Sequence, residues 1–131
     1  MKLIKEIKSK TGKLHFRRWE LIKTRWFSIW IHGIYAADED KHLHNHPWDF
    51  KSIVLKGSDI EQTQNGEVRQ TPGKFNSRNG NDFHKILRLV TPVVYTLFIV
   101  TPVKREWGYK VDSEFVQHEE YRKLKHEGKL K

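Results

Sequence analysis

The sequence predicts one all-β domain closed as a sandwich or barrel, on three observations. Short β-branched or aromatic runs recur through most of the chain, turn residues separate them at close intervals, and helical periodicity is confined to the C-terminal end. At 131 residues the chain is long enough for one domain with its own core and too short for two of typical size, so residues 1–131 are read as a single domain. A 37% hydrophobic share with five Trp is too apolar for a disordered chain.

The strand expectations follow in chain order. Residues 26–35, Trp-Phe-Ser-Ile-Trp-Ile-His-Gly-Ile-Tyr, are apolar on both alternating faces, as in a strand covered on both sides. Residues 52–57 are β-branched-rich and end at Gly57, a strand entering a turn. Asn65-Gly66 between residues 59–64 and 68–71 is the strongest local hairpin signal in the chain. Further strands are expected over 84–90, 93–101 and 105–111, with Pro72-Gly73 and residues 79–82 as turns and Pro92 and Pro102 bracketing the apolar run between them.

Residues 113–127 differ. Phe115, Val116, Glu119 or Glu120, and Lys123 fall at helical spacing, with Ser113 as the expected N-cap and Gly128 near the end. The first ten residues are ambiguous: Leu3, Ile4 and Ile7 suit one helical face, yet isolated short helices are marginal. The expected organisation is a basic N-terminal extension (1–25), a barrel (26–111) and a short terminal helix (113–127).

Composition excludes several chemistries. Without cysteine there is no disulfide framework, thiolate zinc site or cysteine nucleophile, so any metal must sit on histidine, carboxylate or water. No apolar run suits a signal peptide or a membrane span, so the expected location is the cytoplasm, with no membrane partner. Residues 1–25 hold nine Lys or Arg against two Glu, or +7 of the formal +9. Such a segment either solvates the surface or meets nucleic acid or an acidic partner.

The chemistry-bearing pattern is His42-Leu43-His44-Asn45-His46. On a strand its three imidazoles point to one side and can clasp a metal from one direction. A further ligand must come from elsewhere, and His84 opens a predicted strand after a turn cluster, a position typical of a barrel rim. His32 lies on an apolar strand, as a core histidine would, while His15, His118 and His126 read as surface residues. Arg88 shares the parity of His84 and Ile86; it either projects into the barrel to hold a carboxylate or phosphate, or sits at the mouth paired with Asp49 or Glu61. Trp48 and Phe50 either wall a substrate pocket or belong to the ordinary core.

His44-Asn45-His46-Pro47-Trp48-Asp49-Phe50 followed by residues 52–57 resembles the first motif of the cupin superfamily: His-x-His, three residues, Glu, six residues, Gly. Gly57 stands in the place of the final Gly, and Phe50 in that of the Glu. Gly66, Pro72, Gly73 and then a late His84 match the second motif in part. Together with the later Arg105-Glu106-Trp107-Gly108-Tyr109 run, the pattern resembles small cupin-like proteins of bacteria and bacteriophages.

The resemblance implies a double-stranded β-helix barrel in which His44, His46 and His84 are the metal ligands. Either Asp49 turns inward at a bulge marked by Pro47, as a fourth ligand or the support of one, or the site is a three-histidine face similar to that of thiol dioxygenases. The cofactor expected is one divalent transition metal, Fe(II) first, with Zn, Ni or Cu also suited to neutral imidazoles. The function expected is a metal-dependent, oxygenase-like enzyme acting on a small polar molecule. Two alternatives are a non-catalytic small-molecule or nucleic-acid-binding module and a phage-like accessory protein with a vestigial pocket. Cupins commonly pair through their sheets, which implies a homodimer.

Overall fold

A computed structural model describes residues 1–38 and 42–130. Its strands are β1 (Lys2–Lys8), β2 (Leu14–Lys23), β3 (Ser28–Ile34), β4 (Phe50–Lys56), β5 (Asp59–Thr63), β6 (Gly66–Gln70), β7 (Phe75–Arg78), β8 (His84–Leu89), β9 (Val94–Val100), β10 (Gly108–Val111) and β11 (Glu114–Gln117), followed by helix α1 (His118–His126). Among the described residues every strand pairing is antiparallel.

One layer is a six-stranded sheet in the order β1-β2-β3-β9-β4-β7. The other contains β6-β5-β8 and the β10-β11 hairpin. A short stretch around His44 joins these two pieces: His44 bridges His84 on β8 and Tyr109 on β10, and backbone bonds run from Asn45 N–H to Gly108 C=O (3.1 Å) and from Lys110 N–H to Leu43 C=O (2.9 Å). The histidine motif is thus the strand that completes the second layer before the chain crosses to β4.

Between the layers lies a core of the aromatic Trp30, Trp48 and Phe50 with Val100, and Phe98 packs against it. Phe50 and Phe98 meet at 4.9 Å between ring centroids, and Trp30 and Trp48 edge-to-face at 5.3 Å. Burying such rings is the main driving force for closing the layers; truncating one to Ala costs about 3–5 kcal/mol. Polar bonds also cross the gap. Arg78 on β7 is ion-paired with Glu61 on β5, and Asn76 on β7 donates to Gln70 on β6 at 2.8 Å.

The strands expected from pattern are present to within one to three residues at each end. The Asn65-Gly66 turn joins β5 to β6. The basic segment folds back at Ser9–Lys13 and extends the large sheet as β1 and β2, which settles the ambiguity of the first ten residues in favour of a strand. Leu14–Lys23 and Phe75–Arg78 escaped the pattern reading because charged and amide side chains interrupt their apolar alternation.

The helix begins later than expected. Asp112 and Ser113 adopt positive φ (51° and 68°) in a tight turn, so Ser113 ends a hairpin rather than capping a helix. Glu114–Gln117 then pair with β10, and Gln117 caps α1 by accepting from Glu119 and Glu120 N–H at 2.9 and 3.3 Å.

Candidate metal centre

His44 and His84 form an antiparallel cross-strand pair, which places their rings side by side on one face, 4.8 Å between centroids. His46 follows two residues after His44. Its backbone N–H donates to Gly80 C=O at 2.9 Å, just before Pro47 turns the chain toward β4. Its ring then reaches His84, with the two Nε2 atoms 2.7 Å apart. One ligand atom from each of His44, His46 and His84 lies within 4.8 Å of the others.

The donor set fits a divalent transition metal. Burial, followed by the neighbouring His84, holds His44 and His46 well below the usual imidazole range, so both are neutral with lone pairs to offer at physiological pH. Among the described residues the buried Nδ1 of His84 has no hydrogen-bond partner, but it lies 3.6 Å from Glu61 Oε2. A carboxylate behind a ligating imidazole fixes its tautomer and leaves Nε2 free for the metal. Burial raises the Glu61 pKa, but His84 and Arg78 outweigh it and hold the carboxyl below its ordinary value.

Trp48 stacks on His46, centroids 4.6 Å apart and ring planes nearly parallel, and Phe50 meets the same imidazole edge-on at 5.5 Å. Both belong to the core, and they also wall the histidine cluster. In the slot of the family's glutamate, the Phe50 ring has no donor atom to offer.

Asp49 does not join the cluster. Its Oδ1 accepts from Gly80 N–H and from Arg105, both at 2.7 Å, and its Oδ2 lies 3.3 Å from Lys104 Nζ. These partners hold its pKa down at about 2, the Gly80 N–H contributing most. Arg105 also donates to the His46 carbonyl at 3.3 Å, so Asp49 supports the ligand strand through Arg105 rather than ligating.

Arg88 does not enter the barrel either. The β5–β8 register slips between Ile60 and Glu61: Glu61 faces Ile86 and Ile60 faces Arg88, leaving Leu87 as an extra residue. That bulge inverts the parity on which the inward reading rested, and Arg88 ends on the surface 4.0 Å from exposed Glu67.

His42 leaves the row as well, because 42–46 is not one unbroken strand. Its Nδ1 lies 2.9 Å from the hydroxyl of Tyr121 on α1. His32 is buried in the core as expected. Glu61 and Arg78 were missed as site residues; their sequence signal is only a charge on a short strand, and their roles depend on partners from other strands.

No family model and no curated protein matches the sequence. Solved structures match in three dimensions. A cupin-2 domain from Rhodospirillum rubrum superposes with a TM-score of 0.63 at 12% identity, covering 95% of this chain and 80% of that one. A sugar phosphate isomerase of the cupin superfamily from Silicibacter pomeroyi gives 0.57 at 16% identity, covering 72% and 64%. FeII HppE gives 0.59 at 11% identity, covering 73% and 55%. The chain spans less than two thirds of the last two. Among the described residues, no helix is long and apolar enough to cross a membrane. Two antiparallel layers around an aromatic core, closed by the His44 strand and superposable on these neighbours, give this chain the cupin fold.

Proposed function

We propose that this chain is a metal-dependent cupin enzyme of the oxygenase type, in which His44, His46 and His84 hold one divalent transition metal, Fe(II) by preference, for chemistry on a small polar molecule. The observation that carries the reading is the convergence of three imidazoles, two of them held neutral, beside a carboxylate placed to orient the third. A metal on a three-histidine face keeps open positions for substrate and supplies Lewis acidity or redox chemistry there.

The chain's own residues do the rest. Glu61 faces the Nδ1 side of His84 at 3.6 Å, and His84 and Arg78 hold its carboxyl below the ordinary value. Trp48 and Phe50 shield His46 from water. Arg105 and Gly80 tie the His46 backbone in place. FeII HppE, a fold neighbour that contains iron, supports the choice of metal.

The test is metal analysis of the purified protein combined with titration of Fe(II), Co(II) and Zn(II). One metal per chain, lost in His44→Ala and His84→Ala variants that remain folded, is the expected result. A wild-type protein that binds no transition metal, and instead binds DNA with a steep salt dependence, would replace this reading with a binding module acting through the basic hairpin.

A further inference from the structure

On β1 and β2, Lys5 and Arg18 stand directly opposite each other, and Arg18 stands opposite His32 on β3. These three residues form one row across the sheet, on its inner face. Like charges directly opposite on neighbouring strands are destabilising. Among the described residues, no carboxylate relieves this pair. Glu6 is taken by Arg17 at 2.7 Å, and Glu20 turns to the Trp30 indole N–H at 3.5 Å.

The Arg18 guanidinium lies over the Trp30 ring at 4.1 Å and reaches the Trp48 ring at 5.7 Å, and its Nε donates to His32 Nε2 at 2.9 Å. Its protein acceptor is thus an imidazole that burial keeps neutral. Sequestered charges in proteins are nearly always paired. Desolvation pulls the Arg18 pKa down only to about 10, so its charge persists at neutral pH, with no counter-ion among the described residues. The pair also lies near the histidine site: Trp48 is stacked on His46, the charge of Arg18 is felt at His46, and that of Lys5 at His44.

We propose that Arg18 and Lys5 form a seat for an anionic group, a carboxylate or a phosphate, of the molecule that the histidine centre takes. An oxyanion between them turns a repulsive pair into a bridged one. The planar fork of Arg18 offers paired donors for two oxygens, and the surrounding indoles strengthen the attraction by excluding water. The proposal rests on the metal-centre reading only for where the rest of the molecule lies.

The experiment is calorimetric and tryptophan-fluorescence titration of the full chain with sodium phosphate and, separately, with sodium succinate, each against sodium chloride at equal ionic strength. Arg18→Gln, Arg18→Lys and Lys5→Gln are compared, with Co(II) stoichiometry measured on every protein. Saturable binding of at least one anion, weakened at least tenfold in Arg18→Gln and in Lys5→Gln with Co(II) stoichiometry unchanged, is the expected result; whichever anion saturates identifies phosphate or carboxylate as the group. Should Arg18→Gln fail to fold, the exposed Lys5→Gln and the charge-retaining Arg18→Lys decide the matter. Responses to both anions indistinguishable from chloride, or affinities unchanged in the variants, overturn the seat. If Co(II) fails to bind while anion binding still depends on Lys5 and Arg18, the metal reading falls and the seat stands.

Discussion

His44 and His84 are locked together through their backbones before their side chains meet: each N–H donates to the other's carbonyl at 2.9 Å. This pair of hydrogen bonds fixes the separation of the two imidazoles by β-sheet geometry rather than by side-chain packing. A site built on paired strands is more rigid than one carried on loops, as metal ligation requires.

That rigidity makes the ligand roles separable from the support roles. His44→Ala and His84→Ala should abolish stoichiometric metal binding. Glu61→Gln keeps all three histidines but removes the carboxylate charge that faces His84 Nδ1, and should lower metal affinity by about 10–100-fold. Competition with a chromophoric chelator measures both effects, and an unchanged affinity in Glu61→Gln would refute the carboxylate's role.

The second prediction concerns the clamp on His46. Asp49 accepts from both Gly80 and Arg105, and Arg105 and Gly80 both hold the His46 backbone. Asp49→Ala leaves Arg105 without its carboxylate and should destabilise the fold by about 1–3 kcal/mol in urea denaturation. The Asp49→Ala/Arg105→Met double variant should cost less than the sum of the singles, because both changes remove one shared interaction.

Gly80 tests the same clamp by steric means. A Cβ there would collide with the Trp48 carbonyl and come within 2.7 Å of the His46 carbonyl, both of them backbone atoms. Gly80→Ala must therefore displace the ligand strand, and should lower metal affinity more than it lowers thermal stability. A calorimetric metal titration beside a melting curve gives the comparison.

Asp59 sets a pH dependence. Its side chain is buried, its Oδ1 has no hydrogen-bond partner among the described residues, and desolvation, with Glu61 and Asp38 adding, pushes its pKa from 3.8 up to about 7. A carboxyl whose folded pKa is raised contributes stability that is complete below about pH 4, its unfolded value, and is lost as pH rises through about 7. Asp59→Asn should remove this loss, so the variant gains on the wild type as pH rises from about 4 to about 7 and keeps that gain above it, by an amount on the order of a few kcal/mol. Melting temperatures across that range check the sign; parallel wild-type and variant profiles would contradict it.

Arg88 supplies a negative control. With its side chain in solvent beside Glu67, Arg88→Ala should change stability by no more than about 0.5 kcal/mol and leave metal affinity untouched. A marked loss of metal binding would reinstate the inward orientation.

Local pattern made the β architecture, the Asn65-Gly66 hairpin and the His44-x-His46 half of the histidine cluster legible, because strand parity, turn chemistry and the His-x-His spacing are properties of short stretches of chain. Tertiary structure alone decided which way Asp49 and Arg88 point, that Glu61 stands behind His84, that the basic segment becomes two sheet strands, and that Lys5 faces Arg18. The physical reason is the same in each case. A single bulge in the β5–β8 ladder reverses side-chain parity, and the register between strands far apart in sequence is set by burying a shared core, so the partners of a charge are chosen by distant pairings that its own neighbours do not encode.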